Sequence, residues 1–194
     1  MTTSNHPLLW GLITRAFLFF AAALLSSTAS ADITVYRNFQ DWKAAAGSSG
    51  AQMEEIDFFS KEIDGITGHH LRPGSYKRLS ISGVTFEAVS GPHSTFAINP
   101  YADPYAGILF DGAGSTLRIT FGQGVGGVFL VAVPSGLGAP SIRISGQTDS
   151  YEFGSDMAFA GFVSDKEPIE WVEFTARKRY DLDKVLFYRV NRKP

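Results

Sequence analysis

Asn99, Tyr101, Asp103 and Tyr105 fall within seven residues, in a loop stiffened by Pro100 and Pro104. Two tyrosines four apart could stack on the apolar face of a pyranose, while the amide and the carboxylate bind its hydroxyls. The prolines lower the ordering cost of such binding. These four residues are the ligand-binding candidates; the alternative is a loop folded back over a sheet edge. A second set is acidic, with Glu54, Glu55 and Asp57 early and Asp181 and Asp183 late. Where an early strand meets the last strand, Asp57 and Asp183 could help supply the roughly six to eight oxygens of a structural Ca²⁺. Asp183 shares the parity of Val185 and Phe187, so it is expected at the core-facing mouth of its strand. An inward acid there needs a cation, a capped backbone N–H, or an arginine such as Arg118 or Arg143.

Other residue types point to less. His69, His70 and His93 sit in loops without ligand spacing, and the chain has no cysteine, so a transition-metal site is not expected. A glycosidase needs two carboxylates about 5–10 Å apart across a cleft. Glu170 and Glu173 are three apart on an expected strand and face opposite sides. Glu173 shares its face with Trp171, which points to an exposed face, and nothing pairs Glu87 with Glu152. Gly-x-Ser-x-Gly, His-Glu-x-x-His and P-loop patterns are absent.

The elements that must hold these residues are strands. Twenty glycines, nine prolines and sixteen phenylalanines in 194 residues favour short strands and tight turns. Asn38 is a suitable N-cap for one short helix in which Phe39, Trp42, Lys43 and Ala46 share a face and Gly47 is the stop, expected as a lid over one end of a sheet. Alternation marks Met53 to Phe59, Arg78 to Val89 (with a bulge or close packing at Gly83) and Leu117 to Phe121. Val125 to Val133 is apolar on both faces, as in a central strand covered twice. Gly122-Gln123-Gly124 reads as a turn between those last two. Ile142 to Ile144, Tyr151 to Phe153, Phe159 to Val163, Ile169 to Thr175 and Lys184 to Val190 complete a set of about ten strands, whose spacing predicts an all-β, two-sheet antiparallel sandwich of jelly-roll-like form.

Met1 to Ala31 holds no Asp or Glu and a single cation, Arg15. Ala16 to Leu25 is an apolar run followed by small residues, and Ala29-Ser30-Ala31 fits small-x-small cleavage. As a helix, ten residues cover about 15 Å, against roughly 30 Å of hydrocarbon. Residues 1–31 are therefore expected to be a signal peptide and residues 32–194 a single sandwich domain, with no membrane anchor after cleavage. A net charge of −2 with no extended basic block excludes a nucleic-acid footprint.

The order of several weak motifs resembles a known family. Asn38-Phe39-Gln40-Asp41-Trp42 with Ala-Ala-Ala-Gly, Ile56-Asp57-Phe58, Gly83-Val84-Thr85-Phe86 and Leu117-Arg118-Ile119-Thr120-Phe121 come first. Val125-Gly126-Gly127-Val128, Phe159-Ala160-Gly161-Phe162, Pro168-Ile169 and Asp183-Lys184-Val185-Leu186-Phe187 follow. Together they are similar to the exported β-sandwich domain of bacterial PEP-CTERM proteins, across nearly all of residues 32–194. Family members end in a Pro-Glu-Pro motif, an apolar span and a basic tail; Tyr188 to Pro194 has none of these, which implies a released member. The resemblance speaks to fold and export. The expectation is a secreted binding module, periplasmic or extracellular, for polysaccharide and without catalysis. Its alternatives are an envelope or matrix protein-interaction domain and, further off, a glycoside hydrolase. Calcium is the one ion the acids could hold.

Overall fold

A computed structural model describes residues 32–48, 51–57, 62–63, 66–67, 74–91, 95–99, 107–110, 114–134, 140–152, 159–176 and 180–190. By backbone proximity the chain divides into Met1–Ser30 and Ala31–Pro194, and all described residues lie in the second unit. The order is β1 (Ile33–Tyr36), α1 (Phe39–Gly47), β2 (Met53–Asp57), β3 (Glu62–Ile63), β4 (Ile66–Thr67), β5 (Gly74–Tyr76), β6 (Arg78–Ile81) and β7 (Val84–Ser90). Then come β8 (Phe96–Asn99), β9 (Gly107–Phe110), β10 (Ser115–Pro134), β11 (Ser141–Ile144), β12 (Ser150–Glu152), β13 (Phe159–Ser164), β14 (Ile169–Ala176) and β15 (Tyr180–Arg189). The all-β fold is as expected. Among the described residues no helix is long and apolar enough to cross a membrane.

One strand organises everything. The first half of β10 lies between β7 and β14, and its second half lies between β13 and β15, antiparallel throughout. The first layer therefore runs β12-β11-β14-β10-β7-β6, and the second runs β1-β13-β10-β15, with β2 and β9 on the far side of β15 and β8 and β5 beyond β9. Because β10 serves both layers, they form a single curled sheet. Here the structure corrects the expected turn: Gly122-Gln123-Gly124 is a bulge within β10, where pairing with β14 jumps from Thr120↔Trp171 to Val125↔Ile169. Glycine is needed there for close approach, since a Cβ on Gly124 would fall 2.5 Å from Pro168 Cβ. The opposite correction applies at Gly83. Ser82 and Gly83 both have positive φ (51° and 71°), making a two-residue hairpin turn that splits the expected strand into β6 and β7.

Alternation along each strand sends one set of side chains between the layers. Phe86, Leu117, Ile119, Val172 and Phe174 from the first layer meet Val128, Leu130, Phe162, Val185 and Phe187 from the second in the main core. The second layer is covered on its other face too. Phe129, Leu186 and Tyr188 pack there with Trp42 and Ala46 of α1, which explains the two-sided apolar run of β10. Asn38 Oδ1 accepts from the backbone N–H groups of Gln40 (2.7 Å) and Asp41 (3.3 Å), so the expected cap forms. The helix lies across the sheet face and not over one end of it. Trp42 is 0% exposed, with its Nε1 donating to Phe162 O at 3.2 Å, while Lys43 stays in solvent. Gly127 and Gly161 supply the floor for that indole.

Candidate functional site

The expected sugar loop falls where β8 joins β9. Asn99 ends β8 with its backbone opposite Gly107, while its side chain and Tyr101, Asp103 and Tyr105 lie outside the described residues. His69, His70 and His93 also lie outside them. The acidic set is partly assembled. β2 does pair with β15, the last strand, and the Asp57 backbone faces Lys184; the Asp57 side chain is outside the described residues. Glu55 Oε1 accepts from Lys184 Nζ at 3.1 Å. Glu54 takes Arg189 through both carboxylate oxygens, and these hydrogen bonds raise the guanidinium pKa above its already high ordinary value. Asp183 sits at a register slip: Ala132 pairs with Leu182 but Val131 with Lys184, so β15 carries one extra residue there. The slip is why core parity is even at Tyr180 and Leu182 yet odd at Val185 and Phe187, and why the expected parity cannot be carried through Asp183. Among the described residues no three acids or histidines are grouped to hold a metal ion. The arginines expected as partners for Asp183, Arg118 and Arg143, stand elsewhere.

They lie on the outer face of the first layer, the face opposite the core. Register places five charged residues in one row across five strands: Arg78 faces Glu87, Glu87 faces Arg118, Arg118 faces Glu173, and Glu173 faces Arg143. Side chains directly opposite on one face lie about 5 Å apart, so opposite charges there attract. Arg118 Nε donates to Glu173 Oε1 at 3.0 Å and Nη2 donates to the same oxygen. Arg143 Nε is 3.7 Å from Glu173 Oε2, an ion pair too long for a hydrogen bond. Glu173 was expected on an exposed face with Trp171; the face is right, but the carboxylate is buried at 7% exposure beneath its arginines. Both guanidinium groups lean over the Trp171 ring, 5.0 Å (Arg118) and 5.9 Å (Arg143) from its centroid.

Hydroxyl rows flank the charged row. On one side Ser80, Thr85, Thr120 and Trp171 face one another in succession, and on the other Ser90, Thr116, Thr175 and Ser141 do so. Ser80 and Thr85 share a hydrogen bond of 2.9 Å, as do Thr116 and Thr175. Ser145 Oγ accepts from the backbone N–H of Glu170 at 2.8 Å and fixes the start of β14. At the bulge of β10 the face opens into a cleft of ≈ 710 Å³, walled by Thr120, Gln123, Glu170, Trp171 and Val190. The slip in pairing with β14 is what makes room for it. An aromatic ring, an amide, a carboxylate and a hydroxyl converging on one cleft are the groups that hold a polyhydroxylated ligand. Sequence reading placed Trp171 and Glu173 on one face but missed Arg118 and Arg143, 55 and 30 residues away, because only strand register joins them. The signal for the cleft was Gly122-Gln123-Gly124, read there as a turn.

Neither a protein-family model nor a curated protein matches this chain.

Proposed function

We propose that this protein is an exported, non-catalytic β-sandwich module that binds extracellular polysaccharide. The observation that carries the reading is the Trp171 cleft: a half-buried indole, positioned by two guanidinium groups, beside Thr120, Gln123 and Glu170. Stacking a pyranose on or beside such a ring removes apolar area from water, and the polar wall supplies directional bonds. The groups stand on paired strands, so little ordering accompanies binding. Export rests on the apolar run and small-residue site of residues 16–31 and on the likeness to PEP-CTERM sandwich domains.

The test is binding of the purified protein to a panel of bacterial and plant polysaccharides, run with Ca²⁺ and with EDTA. Trp171→Ala should weaken binding about tenfold or more, with Trp171→Phe intermediate. Wild-type binding by Trp171→Ala would remove the cleft from the argument. Loss in EDTA would assign the acids of β2 and β15 to a cation, and N-terminal sequencing of exported protein should begin at Asp32.

A further inference from the structure

We infer that the ligand of this face is an acidic polysaccharide, with an anionic ring substituent held by Arg143 and its sugar ring lying against Trp171. The inference rests on the polysaccharide reading above and specifies its chemical class. The row across the first layer holds three arginines and two glutamates, a local excess of one positive charge on a chain whose net charge is −2. Arg78 is exposed at the far edge of the row, on β6, and of the two arginines at the Trp171 ring Arg143 is the more exposed. Arg118 is spent on Glu173, donating from Nε and Nη2 to one carboxylate oxygen. Arg143 is 55% exposed, against 39% for Arg118, and its one ionic contact among the described residues is the 3.7 Å approach to Glu173. Among the described residues it makes no side-chain hydrogen bond. Among those residues nothing takes its planar fork of donors, which can hold a carboxylate or a sulfate with two parallel N–H bonds.

Position selects a sugar acid over other anions. The Arg143 guanidinium sits 5.9 Å from the Trp171 ring, so a group bound to it leaves the rest of its molecule over the indole. Ser141 and Thr175, one row along, offer hydroxyls to the same ligand. A continuous polyanion such as nucleic acid fits poorly, because it would also meet Glu87, Glu173 and Glu170, and one surplus cation gives little counterion release. An acidic glycan carries its charges one ring at a time, with neutral hydroxylated surface between them. That spacing matches a face on which exposed Arg143, beside the Trp171 ring, stands next to hydroxyls.

The experiment compares polygalacturonate, alginate and dextran sulfate with the methyl-esterified uronates and with plain dextran, which differ from them chiefly in charge. Wild type is expected to hold at least one acidic polymer about tenfold or more above its neutral counterpart. That preference should shrink as salt rises. Arg143→Gln should bring the two forms to within about twofold, because the lost charge-assisted bond accounts for the difference, and Arg143→Lys should restore part of it. The variant's melt should match wild type, since Glu173 keeps both Arg118 bonds. If Trp171→Ala loses a neutral and an acidic polymer alike while Arg143→Gln leaves their ratio unchanged, the polysaccharide reading stands and the acidic assignment falls. If no polymer is held in a Trp171-dependent manner, both fall together.

Discussion

Replacing Gly161 by alanine is the sharpest test of how α1 is held. A Cβ at this position would stand 2.6 Å from Trp42 Cδ1, 2.7 Å from Phe129 Cδ2 and 2.8 Å from Trp42 Cγ. The indole has nowhere to withdraw. Phe129 and Tyr188 rings lie 5.1 and 5.4 Å from it, centroid to centroid, and its Nε1 is 3.4 Å from the place a Gly127 Cβ would occupy. The backbone itself would accept alanine, because Gly161 is not among the positive-φ glycines, and on that count alone the change would stabilise by about 0.4–1 kcal/mol. Forced overpacking costs about 1–3 kcal/mol. If the helix lifts enough to break the Trp42–Phe162 hydrogen bond, a buried donor left unsatisfied adds roughly 1–3 kcal/mol. The net expectation is a loss of about 1–5 kcal/mol, or on the order of 3–15 °C in melting temperature for a domain of this size. Gly126→Ala is the control: its Cβ meets nothing closer than Val190 Cγ2 at 3.8 Å, so its melt should equal or slightly exceed wild type. Urea unfolding followed by tryptophan fluorescence and near-ultraviolet circular dichroism reads both. A double-mutant cycle with Trp42→Ala should abolish most of the Gly161→Ala penalty. If Gly161→Ala melts within a degree of wild type, the indole is not seated as described and the argument for the second cluster fails.

Two further outcomes follow from polar contacts. Arg118→Met should destabilise by about 1–3 kcal/mol in urea unfolding, because it leaves the buried Glu173 carboxylate with only the distant Arg143, whereas Arg143→Met should stay within about 0.5 kcal/mol. Equal effects would contradict the division of roles between them. At high pH the protein should weaken. Burial raises the pKa of Tyr180 and of Tyr151 above the ordinary value of 10.0. A phenol that ionises less readily when folded contributes stability fully present below that ordinary value and lost as pH rises through the folded pKa. A melting-temperature profile should therefore fall above pH 10, and Tyr180→Phe should flatten the fall; an unchanged slope in that variant would rule Tyr180 out as its source.

Much of this architecture is written locally. Leu117, Ile119 and Phe121 alternate because one face of early β10 is core; the residues after Val125 do not alternate because α1 covers the other face. Asn38 and Trp42 announced the helix by the cap that forms and the apolar face that is buried. What escaped reading were features set by partners distant in sequence. Gly122-Gln123-Gly124 has the composition of a turn, and only pairing on both sides makes it a bulge inside a twenty-residue strand. The slip at Asp183 carries no glycine to mark it, so parity was run through it unbroken. Ser82-Gly83 shows the reverse, a true turn at which the apolar parity changes from odd (Leu79, Ile81) to even (Val84, Phe86), read as a bulge or close packing within one strand. The candidate face was half legible for the same reason. Trp171 and Glu173 share a strand, but the arginines that bury one and lean over the other arrive from β10 and β11 by register.

The passage of β10 through both layers also bears on how the molecule opens. Its first half borders Trp171 and the charged row, and its second half touches both apolar clusters. Local unfolding of the binding face would require the same strand to leave β7 and β14 without disturbing β13 and β15, through a bulge whose glycines are packed against Pro168 and the Gly83 carbonyl. Amide protons of β10 on either side of the bulge should therefore exchange with solvent at one common, slow rate set by global opening. A face that cannot loosen by itself meets its ligand already in shape, so the affinity of this protein should track its overall fold and not the fluctuation of a loop.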